Sequence, residues 1–362
     1  MRRRTVLKAM AAAPLAGLGL SPARAGADDW AAAALAAGKA PAVGGAVFTA
    51  DATLYLGVAG VRRAGSDEPV TAEDRWHLGS NTKAMTAAVF QRLVAQGRIR
   101  DGARLTELFP GMAIDPALRD LTADDLSGHR AGLQDAAVIG MPWLMTARGD
   151  ARPLTVQRAE LAAKALGAPP AGTVGAFAYA NINFIVLGAA IEQATGQSWE
   201  ETMRAEMFQP LGMASAGFGA PPDPAPWGHA GGRPVAPGLA ADNPPALGPA
   251  GTAHMSLADY GLWLQAILKG GAGWLSADSV AAMTAPPAVG ESYRRGWGLI
   301  PERAWARGPV LAHEGSNTMW HAVALVAPKR GIAVATVSND ETDGAAVAQA
   351  LAQTLVGTYA PA

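Results

Sequence analysis

Strand-forming runs stand at both ends of this chain with a long helical stretch between them, which limits the folds open to it. Near the start, residues 46–49 and 54–58 flank Ala50-Asp51-Ala52-Thr53 and read as an antiparallel hairpin. Near the end, residues 323–327 and 332–337 flank the turn Pro328-Lys329-Arg330-Gly331 in the same way. Strands supplied from both ends are expected to meet in one sheet, with a last helix over 344–356 to cover it. Between them, apolar spacing predicts helices over 80–96, stopped by Gly97, and over 154–166, 189–195, 199–207 and 257–268. The expected fold class is α+β: a mostly antiparallel sheet flanked by helices, interrupted by a helical insertion. Its sheet part would hold residues from about 28 to 100 and 285 to 362, its helical part about 101 to 284. The proline-rich stretch 221–249 reads as a long surface excursion and a candidate wall of a binding site. With the loop 142–153 it would set the tightness of any cleft.

The first residues carry an address. Arg2-Arg3-Arg4-Thr5-Val6-Leu7-Lys8 precede an apolar stretch of 12 residues from Ala9 to Leu20, and Ala23-Arg24-Ala25 follows. Paired arginines, a short hydrophobic region and a small-x-small site describe a twin-arginine export signal over 1–27, cut near Ala25 or Ala27. A spanning helix needs about 20 apolar residues, so no stable membrane anchor is expected here. Without cysteine there is neither disulfide nor lipid attachment through a lipobox, which suits export of a folded chain to the periplasm or beyond. Removing the signal leaves 24 basic against 30 acidic residues, a net charge of −6, which argues against nucleic acid as a partner.

The chemistry starts at Ser80-Asn81-Thr82-Lys83, a hydroxyl and an amine three residues apart at the start of a predicted helix, on one face of its first turn. With 12 serines and 6 lysines in 362 residues, chance gives about 0.2 such pairs, and this is the one instance. Tyr179-Ala180-Asn181 then stands at the mouth of the apolar run 185–190, and His313-Glu314-Gly315 precedes the strand signal 323–326. A serine hydroxyl is a poor nucleophile near neutrality and needs a base and oxyanion donors. Ser80 is the candidate nucleophile. The base falls to Lys83 or Tyr179, one of which would have to drop by about 3 pH units to act at pH 7. Burial would favour the neutral amine, and the ammonium would favour the phenolate. On a strand, His313 and Gly315 would point to one face and Glu314 to the other. No His-Glu-x-x-His, phosphate loop or Gly-x-Ser-x-Gly elbow is present, and His77, His129, His229, His254 and His321 lack metal-ligand spacing, so neither metal nor cofactor is expected. His129 reads as structural.

In these three places and in this order, the chain resembles the serine hydrolases related to class C β-lactamases, whose signatures are Ser-x-x-Lys, Tyr-x-Asn, and Lys-Thr-Gly or His-x-Gly. Residues 126–133, 209–213, 248–252 and 296–299 are similar to connecting segments of the same family, so the resemblance runs from about Pro41 to the C-terminus. It implies the β-lactamase/transpeptidase-like fold with its site in the cleft between sheet and helical parts. It gives Tyr179 the larger share of base catalysis, with His313 beside its hydroxyl. Asn181 would contact Lys83 and the substrate, while Gly315 and the Ser316 backbone N–H would take the substrate backbone and oxyanion. Lys-Thr-Gly would help hold a substrate carboxylate, and here a histidine and Glu314 replace its first two residues. If Glu314 reached the cleft, a like charge at about 5 Å would cost about 3 kcal/mol. The expectation is therefore a small-molecule or peptide-like ester or amide substrate, neutral or amine-bearing. The second choice is a β-lactamase or D-alanyl-D-alanine carboxypeptidase, and the third a catalytically idle ligand-binding module. The sequence sets no oligomeric state.

Overall fold

The computed structural model describes residues 29–362, so the export segment lies outside the described residues. Seven strands form one antiparallel sheet: β1 (Ala42–Phe48), β2 (Thr53–Gly60), β3 (Tyr293–Arg294), β4 (Trp297–Arg303), β5 (Gly308–Ser316), β6 (His321–Ala327) and β7 (Ile332–Ser338). Their order across the sheet is β2-β1-β7-β6-β5-β4-β3. The first strand pairs with the last, Val43 opposite Ser338 and Phe48 opposite Ala333, so the two ends of the chain close one sheet as expected.

Alternation along β1 assigns its two faces. Val43 and Val47 join the cluster under the C-terminal helix, with Val323, Val334, Leu351 and Leu355. Ala42, Ala46 and Phe48 join the larger core on the other side. Six longer helices complete the frame: α1 (Asp29–Ala37), α2 (Thr82–Ala95), α3 (Leu154–Leu166), α4 (Ile182–Thr195), α5 (Leu257–Leu268) and α6 (Gly344–Tyr359). Helices α1 and α6 cover the first face, while α5 and α2 lie on the second, between the sheet and the helical part. Among the described residues no helix is long and apolar enough to cross a membrane.

Three expectations need correction. The helix predicted over 80–96 begins as a 3-10 turn, Gly79–Asn81, and becomes α-helical only at Thr82. The helix predicted from 189 starts at Ile182, because the apolar run before it is buried on every side and shows no helical stripe. The 221–249 stretch is more than a surface excursion. It contains a small hairpin, Gly228–Ala230 with Arg233–Val235, and buries Ala241, Asp242 and Ala246. A three-stranded sheet that the sequence reading omitted, Trp76–His77 with Ala253–Met255 and Gly217–Phe218, ties the segment before Ser80 to the helical part.

Candidate active site

Two glycines let the turn that carries Ser80 lie on the end of β5. Gly79 has φ +51°, and a Cβ there would sit 2.3 Å from the Ser316 nitrogen. A Cβ on Gly315 would sit 2.0 Å from the Leu78 carbonyl oxygen and 2.7 Å from the Ser80 nitrogen. Asn81 is wholly buried and pins the turn: its amide donates to the carbonyls of Leu78 (3.1 Å) and Ala322 (3.3 Å), and its oxygen accepts from the Tyr260 hydroxyl at 3.1 Å.

One turn after Ser80, at the start of α2, the wholly buried Lys83 puts Nζ 3.0 Å from Ser80 Oγ, 2.8 Å from Asn181 Oδ1 and 2.6 Å from the Ala250 carbonyl. Burial pushes its amine down to about 7, although the charge of Asp135 acts the other way. Tyr179 is half-buried and its hydroxyl hydrogen-bonds Ser80. Its phenol is nevertheless held well above the ordinary value, mainly because its surroundings exclude water. Lys83 Nζ also lies 4.9 Å from the centre of the Tyr179 ring. Asn181 stands at the head of α4, yet its side chain makes no capping bond. It turns instead to Lys83 and, through Nδ2, to Asp135 at 3.0 Å.

The structure thus brings Ser80, Lys83, Tyr179 and Asn181 together, with Gly315 and Ser316 packed against the Ser80 turn. His313 takes a different partner from the expected one. Its Nδ1 lies 2.7 Å from the Glu314 carbonyl, which can only accept, so Nδ1 carries the proton. Burial, with the nearby Lys83 charge, pushes the imidazole down to about 3, so Nε2 is an acceptor and takes the Tyr293 hydroxyl at 2.7 Å. Glu314 faces away from the cleft, toward α6: Gln349 Nε2 lies 2.9 and 3.0 Å from its two oxygens, and His321 Nε2 lies at 3.3 Å. The charge argument against carboxylate-bearing substrates therefore loses its basis, because strand alternation puts that carboxylate on the opposite face.

Sequence reasoning missed Asp135 and Tyr293 and undervalued His129. Asp135 fixes Asn181 through one oxygen and accepts the Ile182 N–H at 2.9 Å through the other. His129 is fully buried, its ring 4.3 Å from that of Tyr179 and 4.7 Å from that of Tyr293. Its Nδ1 accepts the Ala180 N–H at 3.3 Å, which sets the backbone between Tyr179 and Asn181. The one local signal was position: Asp135 and His129 lie in or just after the connecting segment 126–133, and Tyr293 three residues before 296–299. Among the described residues, no three His, Cys, Asp or Glu side chains gather so as to hold a metal ion.

A clustered serine, lysine, tyrosine and asparagine between an antiparallel sheet and a helical part is the arrangement the resemblance implied, and the beta-lactamase family model matches residues 27–357. The chain belongs to the beta-lactamase family. This is a family of serine hydrolases that includes esterases and amidases or aminopeptidases. Penicillin-binding protein 4 of Amycolatopsis lactamdurans is 27% identical over 328 residues, 81% of this chain and 79% of that protein. Esterase EstB of Burkholderia gladioli is 28% identical over 173 residues, 46% of this chain and 44% of that esterase. The crystal structure of D-amino acid amidase from Ochrobactrum anthropi SV3 superposes with a TM-score of 0.73 at 18% identity, covering 92% of this chain and 98% of the amidase. At that identity the superposition shows the beta-lactamase fold alone.

Proposed function

We propose that this protein is an exported serine hydrolase that forms an acyl-enzyme on Ser80 and cleaves uncharged or amine-bearing esters or amides. The observation that carries the proposal is the buried Lys83 amine beside Ser80, depressed to about 7 while the Tyr179 phenol is raised. A neutral amine has two hydrogens and one lone pair. The hydrogens suit the Asn181 and Ala250 oxygens, and the lone pair then meets the Ser80 hydroxyl. Lys83 accordingly takes the Ser80 proton as Oγ attacks the substrate carbonyl, and the backbone N–H groups of Ser80 and Ser316 receive the oxyanion. Tyr179, bonded to the same serine and still protonated, gives its proton to the leaving oxygen or nitrogen and regains one from the Lys83 ammonium. Water then enters along the same path in reverse and frees the acid. Here the resemblance, which favours Tyr179 as base, yields to the burial argument.

His313 supports the uncharged or amine-bearing substrate class. It stands where Lys-Thr-Gly would offer a cation, yet it is neutral with both ring nitrogens engaged. The second reading, a β-lactamase or D-alanyl-D-alanine carboxypeptidase, is favoured by the orientation of Glu314 and by the penicillin-binding relative. Export rests on the paired arginines and the apolar run before Ala25.

Intact-protein mass spectrometry of material secreted from the full-length chain tests the proposal. The expected masses are those of a chain cut near Ala25 or Ala27, and of that chain plus one fluorophosphonate adduct, absent in Ser80→Ala. Turnover of p-nitrophenyl esters should fall by about 10³-fold or more in that variant. Labelling that survives Ser80→Ala would refute the assignment. A stable penicilloyl adduct or rapid β-lactam hydrolysis would move the reading to the second class.

A further inference from the structure

His77, two residues before Gly79, and Asp242, in the 221–249 stretch, are both buried and lie 3.0 Å apart, Nε2 to Oδ1. The His77 Nδ1 accepts the Gly79 N–H at 3.1 Å, so in the neutral ring the proton sits on Nε2, which lies at ion-pair distance from Asp242 but outside hydrogen-bond alignment with it. The same Asp242 oxygen accepts from Asn317 Nδ2 at 3.0 Å, and Asn317 directly follows Ser316. Asn317 also donates to the Ala241 carbonyl at 3.0 Å and accepts from the N–H groups of Met319 and Trp320, both at 3.2 Å. The Trp320 ring stacks on His77 with centroids 5.6 Å apart. One carboxylate therefore packs against His77, which holds the turn before Ser80, and is hydrogen-bonded through Asn317 to the end of β5 beyond Ser316.

A buried carboxylate is costly, and the second Asp242 oxygen has no hydrogen-bond partner. Apolar side chains would fill this space more cheaply if packing were the whole purpose. We infer that Asp242, acting through His77 and Asn317, is a positioning residue that holds the Ser80 and Ser316 N–H groups at the separation an oxyanion needs. The inference rests on Ser80 being the nucleophile. It gives the 221–249 stretch a part in the reaction that neither its proline content nor the resemblance suggested.

The test compares wild type, Asp242→Asn, His77→Gln and their double variant on p-nitrophenyl acetate, with kcat normalised to sites titrated by fluorophosphonate. Inhibition by phenylboronic acid, which adopts the tetrahedral oxyanion geometry on a serine, is measured alongside. Loss of a whole oxyanion donor costs about 10²–10³ in kcat, so displacing two donors should cost about 10–100-fold per titrated site. KM should stay within about threefold, the boronate inhibition constant should rise with the loss in kcat, and the double variant should be no worse than the poorer single one, because the two residues act in series. Asn317→Ala probes the same chain from its other end if Asp242→Asn does not fold. Variants that keep wild-type kcat per titrated site and wild-type boronate inhibition, with losses confined to Tm or to the titratable fraction, would overturn the inference alone. Wild-type protein unlabelled at Ser80 would overturn the reading of the site and this inference with it.

Discussion

At the scale of single residues, the site depends on buried polar groups whose hydrogen bonds are each specified. Tyr293 and His313 make the simplest case, a phenol donating to an imidazole nitrogen with both rings buried. Tyr293→Phe leaves that nitrogen without a partner and should cost about 1–3 kcal/mol, read as a lower denaturant midpoint at unchanged slope. An unchanged midpoint would show that the bond contributes nothing. Ser80 and Lys83 were legible from sequence because their contact is local, three residues along one turn. Tyr179 and Asn181 were legible only through resemblance, since nothing in their own spacing points to Lys83, 98 residues before Asn181. Asp135, Tyr293 and Asp242 escaped because their partners lie tens to more than a hundred residues away and any buried polar type could have stood there. The orientation of Glu314 followed from strand alternation, which is why the conditional charge argument failed in the way the pleat predicts.

At the scale of elements, the segment Gly248–Gly251 couples stability to the site. Its Pro249 and Ala250 carbonyls accept from Thr86 Oγ1 at 2.9 Å and Lys83 Nζ at 2.6 Å, so it sets the seat of the amine. The stretch just before it is held by Arg158, fully buried on α3. Its Nε donates to the Ala246 carbonyl at 3.1 Å, and its Nη1 reaches Glu192 on α4 at 2.5 Å and Glu200 at 3.0 Å. Arg158→Met would leave those carboxylates uncompensated, at a cost of about 3–5 kcal/mol. In a chain of this size that corresponds to a Tm lower by on the order of 10 °C, measurable by calorimetry. A Tm within 2 °C of wild type would contradict the role given to Arg158. Element positions for α3 and α5 were readable because an apolar stripe alternates with a polar face. The start of α4 was not, because a helix buried on every side presents no stripe.

At the scale of the whole molecule, the sheet closed by both ends of the chain and the helical part bury Lys83 between them, and that burial pushes its amine down to about 7, the basis of the base role proposed for it. The strands at the two ends made the sheet legible from sequence, whereas the depth at which Lys83 lies emerges only when the two parts meet. The most direct test of this account is the pH dependence of kcat/KM for p-nitrophenyl acetate, corrected for spontaneous hydrolysis. Below its pKa Lys83 is an ammonium without a lone pair and cannot take the Ser80 proton; above it the free amine can. The phenol of Tyr179 is raised and His313 lies at about 3, so neither adds a second limb near neutrality. The account predicts a single rise with an apparent pKa of about 7 and a plateau above it. A profile that falls as pH increases through 7, or that rises only near 10, would contradict it.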